Sequence, residues 1–229
     1  MVKMSQDINT QKWIDGYFAM AKPDWLTNLR SFFRNRIFKE FVNDVDTKIL
    51  DIGCGPGNYL RHLMGKGYKN VYGVEPSFVN SHEDLKHRIA KGVAYSLPYK
   101  DSSFDCIYFF GVIHHLLSIR EYEQALNEAN RVLRPGGLLI LLEPNSKLFY
   151  DLLYVLSKCL KPVSRFAAGT YDVLVAEKDM LRLFFKCQSS IRPYLSLKNF
   201  SVLKNEKRLH QWTLVMKKNL HPSPSIQTK

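Results

Sequence analysis

The 229-residue sequence predicts an α/β fold: one doubly wound, mostly parallel sheet of seven strands, the last antiparallel. N-terminal helices precede the sheet, and a helical insertion follows its fifth strand. Three observations predict this. From Lys48 onward, short apolar runs alternate with stretches of helical periodicity, the pattern of βαβ units. The first run, Lys48-Ile49-Leu50-Asp51-Ile52, breaks into a glycine-rich turn, Gly53-Cys54-Gly55-Pro56-Gly57. The run Leu138 to Glu143 is apolar up to its last residue, as suits a strand covered on both faces.

Before the sheet, a short helix is expected around Gln11 to Met20, and a longer one over 24–42. There Trp25, Leu26, Leu29, Phe32, Phe33, Ile37, Phe38, Phe41 and Val42 recur at helical spacing behind a capping Asp24. After the glycine turn, Asn58 to Lys66 reads as a helix stopped by Gly65 or Gly67. Val71 to Glu75 is the second strand, His82 to Lys91 a helix, and Gly92 to Tyr95 a brief third strand. Phe104 to Phe110 is the fourth strand. Ile119 to Leu133 is a helix closed by Arg134-Pro135-Gly136-Gly137, and Leu138 to Glu143 is the fifth strand. Beyond Pro144 the alternation lapses. Residues 147–160 and 177–186 look helical, separated by a Pro- and Gly-containing stretch. Leu195 to Leu203 and His210 to Lys217 read as a terminal hairpin around Lys204-Asn205-Glu206-Lys207-Arg208. One domain is expected over 1–220: helices at 1–46, a ligand-binding core at 47–145, a helical cap at 146–194 and terminal strands at 195–217. A disordered polar tail, 221–229, is expected after it.

With 45% hydrophobic residues, 14 Phe and 12 Tyr, the chain can bury one sizeable core. The net charge of +12 is unevenly placed: +3 over 1–42, −1 over 43–145 and +10 over 146–229. A basic last third suits either a solvated face or an anionic partner, be it a phosphorylated or carboxylated substrate, a nucleic acid or an acidic membrane surface. No secretory signal is visible. The apolar window Leu148 to Leu160 is interrupted by Asp151 and Lys158 and is too short to span a bilayer. Cysteines 54, 106, 159 and 187 form no CxxC pair, so neither a disulfide framework nor a zinc site is suggested. A cytoplasmic protein with reduced thiols is expected, and no metal.

The glycine turn carries the chemistry. Glycines let a backbone turn sharply and approach a ligand closely, and the carboxyl end of the first strand is where a doubly wound sheet binds ligands. Asp51 ends that strand, and Glu75 ends the next one 24 residues on, at the spacing of a ribose-binding acid. A dinucleotide motif, GxGxxG, would need glycine at position 58, which is Asn58. It would also set a pyrophosphate on this loop, where Asp51 is unhelpful. A cationic ligand suits Asp51 better, and S-adenosylmethionine carries a sulfonium and an ammonium but no phosphate.

The ordered segments ILDIGCGPGNYLRHL, VYGVEPS, YSLPYKDSSFDCIYFFGVIHHL and LRPGGLLIL resemble the core of class I S-adenosylmethionine-dependent methyltransferases of the small-molecule type. The resemblance covers Ile49 to Leu142 and implies a Rossmann-like fold and S-adenosylmethionine as cofactor. It implies that Asp51 anchors the methionine amino end, that Gly53 and Gly55 bring backbone against methionine and ribose, and that Glu75 accepts from the ribose hydroxyls. Pro76 would lie beside adenine, and Phe110 and Gly111 would line the methionine side near the transferred methyl. The family often has Asp four residues before the Leu-Pro pair, where this chain has Val93. Adenine recognition is therefore expected from the backbone of Ala94 and Tyr95.

His114 and His115 follow the fourth strand and are the candidate catalytic residues, either taking a proton from an acceptor hydroxyl or orienting it. The competing reading is packing and hydrogen bonding at a helix start. Glu143, ending the fifth strand, faces the crevice edge. Methyl transfer is an in-line displacement on a sulfonium carbon, so positioning can dominate without a protein base. Lys147 to Phe166 combines an apolar helical periodicity with Lys158, Lys161 and Arg165 at its far end. It reads as a lid or core helix, or as an interfacial helix beside a basic rim giving peripheral contact with an anionic membrane. The expected function is methyl transfer to a small, lipid-linked or sugar-linked anionic acceptor. The alternatives are an RNA or protein methyltransferase using the basic C-terminal third, and a non-catalytic cofactor-binding partner.

Overall fold

Ile49–Ile52 (β1) is buried at all four positions, so the strand that carries Asp51 lies in the middle of the molecule. The computed structural model describes residues 34–76 and 82–220. The helix expected at Gln11 to Met20, the first part of the helix over 24–42, and the tail 221–229 lie outside the described residues. A helix at 34–41 (α1) is the described part of the second of these.

After β1 come Asn58–Gly65 (α2), Val71–Glu75 (β2), Ile89–Lys91 (β3), Phe104–Phe110 (β4), Ile119–Val132 (α3) and Leu133–Pro144 (β5). Lys147–Leu160 (α4), Arg165–Leu197 (α5), Phe200–Lys207 (β6) and Gln211–Lys218 (β7) complete the chain. The sheet runs β3-β2-β1-β4-β5-β7-β6. Five strands are parallel, and β7 is antiparallel to both β5 and β6. The order reverses at β1, where β2 lies on one side and β4 on the other. A sheet of this kind opens a crevice at the carboxyl ends of its strands at that point.

Alternation along the strands sends successive side chains to opposite faces. Ile107 and Phe109 of β4 join one core with Ala125, Leu126 and Ala129 of α3 and Phe184 and Ile191 of α5. Cys106 and Tyr108 join the other, with Ile37 and Phe38 of α1 and Leu60 and Leu63 of α2. Three helices start on serine caps: Ser118 accepts from the Glu121 amide, Ser146 from Phe149 and Ser164 from Ala167.

Three element boundaries correct the sequence reading. The stretch 82–91 is a 3₁₀ turn, Glu83–Arg88, running into β3, and Gly92 to Tyr95 is not a strand. Ile89 and Ala90 take the register beside Gly73 and Val74, and the chain then folds back in a single bridge between Val93 and Ser96. The fifth strand begins at Leu133, because Leu133 pairs with Phe104 and the ladder resumes at Leu138 after an irregularity. The stretch expected to break before 177 is continuous helix from Arg165. Helix also runs through Leu195 to Leu197, so β6 starts only at Phe200 and the hairpin turns after Lys207. Among the described residues, no helix is long and apolar enough to cross a membrane.

Candidate functional site

The glycine turn is built by backbone hydrogen bonds. The amides of Gly53 and Cys54 both donate to the Val74 carbonyl, at 2.8 and 3.2 Å, which ties the loop to the end of β2. Gly53, Gly55 and Gly57 all have positive φ, a region other residues occupy at a cost. A Cβ on Gly53 would lie 2.6 Å from Val112 Cγ2, so the loop and the segment after β4 approach with no room for a side chain.

Two carboxylates border this turn. Asp51 is buried, and burial pushes its pKa up from 3.8 to about 7; Tyr108 and the Arg34 guanidinium oppose the rise, and Glu75 adds to it. Glu75 accepts from the Gly55 amide at 2.8 Å, so the second carboxylate is oriented by the loop it faces. A carboxylate has about four acceptor sites, so this bond orients Glu75 without exhausting it. Arg34, from α1, stacks over Phe110 at 4.7 Å and Tyr59 at 5.2 Å. The helical spacing over 24–42 gives no signal that this side chain reaches the crevice. Burial pushes the Cys54 thiol upward, leaving it a neutral packing group.

The other expected residues fall at the same carboxyl edge. Pro76 follows β2 and is exposed. Ala94 is buried and Tyr95 exposed, both in the fold-back after β3 and therefore beside the end of β2. Phe110 ends β4 and stacks on Tyr108 at 4.3 Å. Gly111 turns there with φ 71° and donates its amide to Leu142.

His114 and His115 lie in the 3₁₀ turn Ile113–His115 just beyond, their rings 4.1 Å apart. His114 is buried, and its Nδ1 lies 2.7 Å from Glu143 Oε2. The other Glu143 oxygen accepts the amides of Val112 and Ile113, at 3.0 and 2.8 Å. Burial alone would lower the His114 pKa. The Glu143 hydrogen bond and the charges of Glu143 and Glu177 outweigh it and hold the imidazole above its ordinary value. Burial and the His114 charge drive His115 well below its own. Glu177 is the second carboxylate of this cluster, and it arrives from α5, outside the segments that carry the family resemblance. No sequence signal places it beside the histidines.

Comparison with known proteins bears on the domain and its fold. The methyltransferase-domain family matches residues 50–141. The chain is 32% identical over 162 residues to a demethylmenaquinone methyltransferase of Staphylococcus aureus, covering 62% of this chain and 65% of that one. It is 30% identical over 141 residues to a tRNA U34 carboxymethyltransferase of Nautilia profundicola, covering 56% of this chain and 45% of that one. The chain thus spans less than two thirds of the length of either relative. Among solved structures, a SAM-dependent methyltransferase of Aquifex aeolicus superposes with a TM-score of 0.52 at 16% identity, over 80% of this chain and 88% of that one.

S-adenosylmethionine, the cofactor of this family, fits the donor set present. Two carboxylates at adjacent strand ends suit an ammonium and a pair of hydroxyls, and the glycine turn keeps backbone close without a side chain in the way. Residues 50–141 thus match the methyltransferase-domain family, and the chain has the fold of a SAM-dependent methyltransferase.

Proposed function

We propose that this chain transfers the methyl group of S-adenosylmethionine to a small anionic acceptor, linked to a lipid or a sugar and met at an anionic membrane surface. The observation that carries methyl transfer is the pairing of buried Asp51 with loop-bound Glu75 across the glycine turn, at the reversal of strand order. In this reading Asp51 holds the methionine amino group and Glu75 the ribose hydroxyls. Pro76 lies beside adenine, which the backbone of Ala94 and Tyr95 recognises, while the backbone of Gly53 and Gly55 and the end of β4 at Phe110 and Gly111 line the methionine and ribose. When bound, the cofactor supplies a methyl group already activated on a sulfonium. The work left to the chain is to hold donor and acceptor in line and to exclude water. The 3₁₀ turn with His114 and His115 borders the acceptor side, under the cover of α5.

Two observations support the acceptor class. The chain is most basic beyond residue 145. In the same region α4 exposes Leu148, Leu152, Val155, Leu156 and Leu160 at helical spacing, continued by Val163 and Phe166, with Lys158, Lys161 and Arg165 close by. Such a stripe with a cationic border suits a helix lying in an anionic lipid interface. The relatives named above act, by their names, on demethylmenaquinone and on tRNA, so acceptor choice needs direct measurement. Incubation with methyl-labelled cofactor and separate lipid, saccharide and tRNA fractions is expected to place label in lipid or saccharide material. Label in tRNA alone would overturn this acceptor assignment while leaving methyl transfer standing.

A further inference from the structure

We propose that His114, His115 and Glu177 together bind one divalent cation of the zinc class. The two imidazoles converge on one carboxylate: His114 Nε2 lies 3.9 Å from Glu177 Oε2, and His115 Nε2 lies 3.8 Å from Glu177 Oε1. One ligand atom from each of the three residues falls within 4.8 Å of the other two. Ligands bonded at about 2.0–2.2 Å to a tetrahedral ion stand about 3.3–3.6 Å apart. Closing the cluster around an ion therefore shortens the separations by about half an ångström to about 1.4 Å, shared among three side chains.

The surroundings have the form that metal-binding histidines need. An imidazole that ligates through Nε2 is held by a hydrogen bond from its other nitrogen to a carboxylate or carbonyl, which fixes tautomer and ring orientation. His114 has this partner in Glu143, at 2.7 Å, and Glu143 is itself anchored by the Val112 and Ile113 amides. The backbone of Gly111 hydrogen-bonds the His115 ring. Two buried carboxylates, Glu143 and Glu177, thus flank the imidazole pair. A dication placed among the three ligands offsets charge that is costly to bury. His115 is 28% exposed, which opens the cluster toward solvent. Three protein ligands leave a fourth position for water or an acceptor oxygen, and an oxygen bound there loses its proton more readily. The sequence shows no metal signature because the ligands come from two distant segments, the 3₁₀ turn after β4 and the middle of α5.

The inference is independent of the acceptor and of methyl transfer, and its test reads metal binding directly. Chelator-treated full-length protein would be titrated with Co²⁺, followed by visible absorption, and with Zn²⁺ by calorimetry. About one equivalent is expected to bind, with the intense bands of low-coordinate cobalt. His115→Ala and Glu177→Gln should each weaken binding by about a hundredfold or more, and Glu143→Gln by about ten- to a hundredfold. Cys159→Ser, which removes the exposed thiol, should leave it unchanged. Circular dichroism checks each variant, and His115→Ala, at a partly exposed position, keeps the test decisive if Glu177→Gln fails to fold. The proposal is overturned if the wild-type protein binds neither ion, or if folded His115→Ala binds as the wild type does. S-adenosylmethionine binding, followed in parallel, is expected to survive chelation, so failure of the metal site is distinct from failure of the cofactor site.

Discussion

Asp51 is the residue whose environment most constrains what the crevice can bind. Its carboxyl ionises near 3.8 in an unfolded chain and near 7 in the fold, where burial raises it. Between those values the folded state holds a proton that the unfolded state has lost. The contribution of Asp51 to stability is therefore greatest below about pH 3.8 and is lost as pH rises toward 7. A bound ammonium reverses the preference by favouring the ionised form. Affinity for S-adenosylmethionine should accordingly fall by up to about tenfold per pH unit below about pH 7. Titration calorimetry at several pH values should show this slope in the wild type and a weaker, flat profile in Asp51→Asn. A wild-type affinity that ignores pH would remove Asp51 from the cation's first contact. At Gly53 the constraint is steric: φ is 73°, and an added Cβ meets Val112 at 2.6 Å. Gly53→Ala should cost about 1–2 kcal/mol from the backbone alone, read as a lower urea midpoint with an unchanged slope, and more if Val112 cannot move. Asp51, Gly53 and Glu75 were legible in the sequence because strand ends and a glycine turn place them by local structure. Arg34 and Glu177 were not, since only tertiary packing brings α1 and α5 to the crevice.

At the scale of elements, the strands that flank the switch point were the easiest to read. Val71–Glu75 and Phe104–Phe110 match their expected bounds because short, mostly apolar runs end at Glu75 and before Gly111. The third strand was misplaced because Glu83–Arg88 carries helix-forming residues, yet its turn is closed early by the need of Ile89 to pair with Gly73. The continuous α5 was hidden for another reason. Ser164 caps it directly after a turn, and the helix runs on through buried Gly169 and exposed Pro193, residues that usually argue against helix. The companion helix α4 buries little: Leu148 is 76% exposed, and Val163, in the turn after it, 84%. If this face meets lipid, the wild-type protein should float with vesicles containing phosphatidylserine at low salt and dissociate as salt is raised. Leu148→Ser combined with Leu152→Ser and Val155→Ser should abolish flotation while leaving cofactor affinity unchanged. Flotation that survives those substitutions would assign the contact to another surface.

For the whole molecule, the strand order β3-β2-β1-β4-β5-β7-β6 sets two halves of a parallel sheet back to back, so that Asp51, Glu75 and Phe110 end neighbouring strands at one edge. The chain after β5 then lays α5 over that edge and returns through the antiparallel β7, beside the end of β5. The first half carries the family resemblance. The second half carries most of the charge and the exposed apolar helix, and it is there that acceptor choice is expected to lie. All of this rests on the crevice at the strand reversal being an S-adenosylmethionine site. Isothermal titration of the full chain with S-adenosylmethionine, beside Glu75→Ala, tests that most directly. Loss of the carboxylate removes hydrogen bonds to a charged group at about 1.5–3 kcal/mol each. The account predicts saturable one-to-one binding in the wild type and a loss of about a hundredfold or more in a folded Glu75→Ala. No binding by the wild type, or an affinity that Glu75→Ala leaves unaltered, would contradict it.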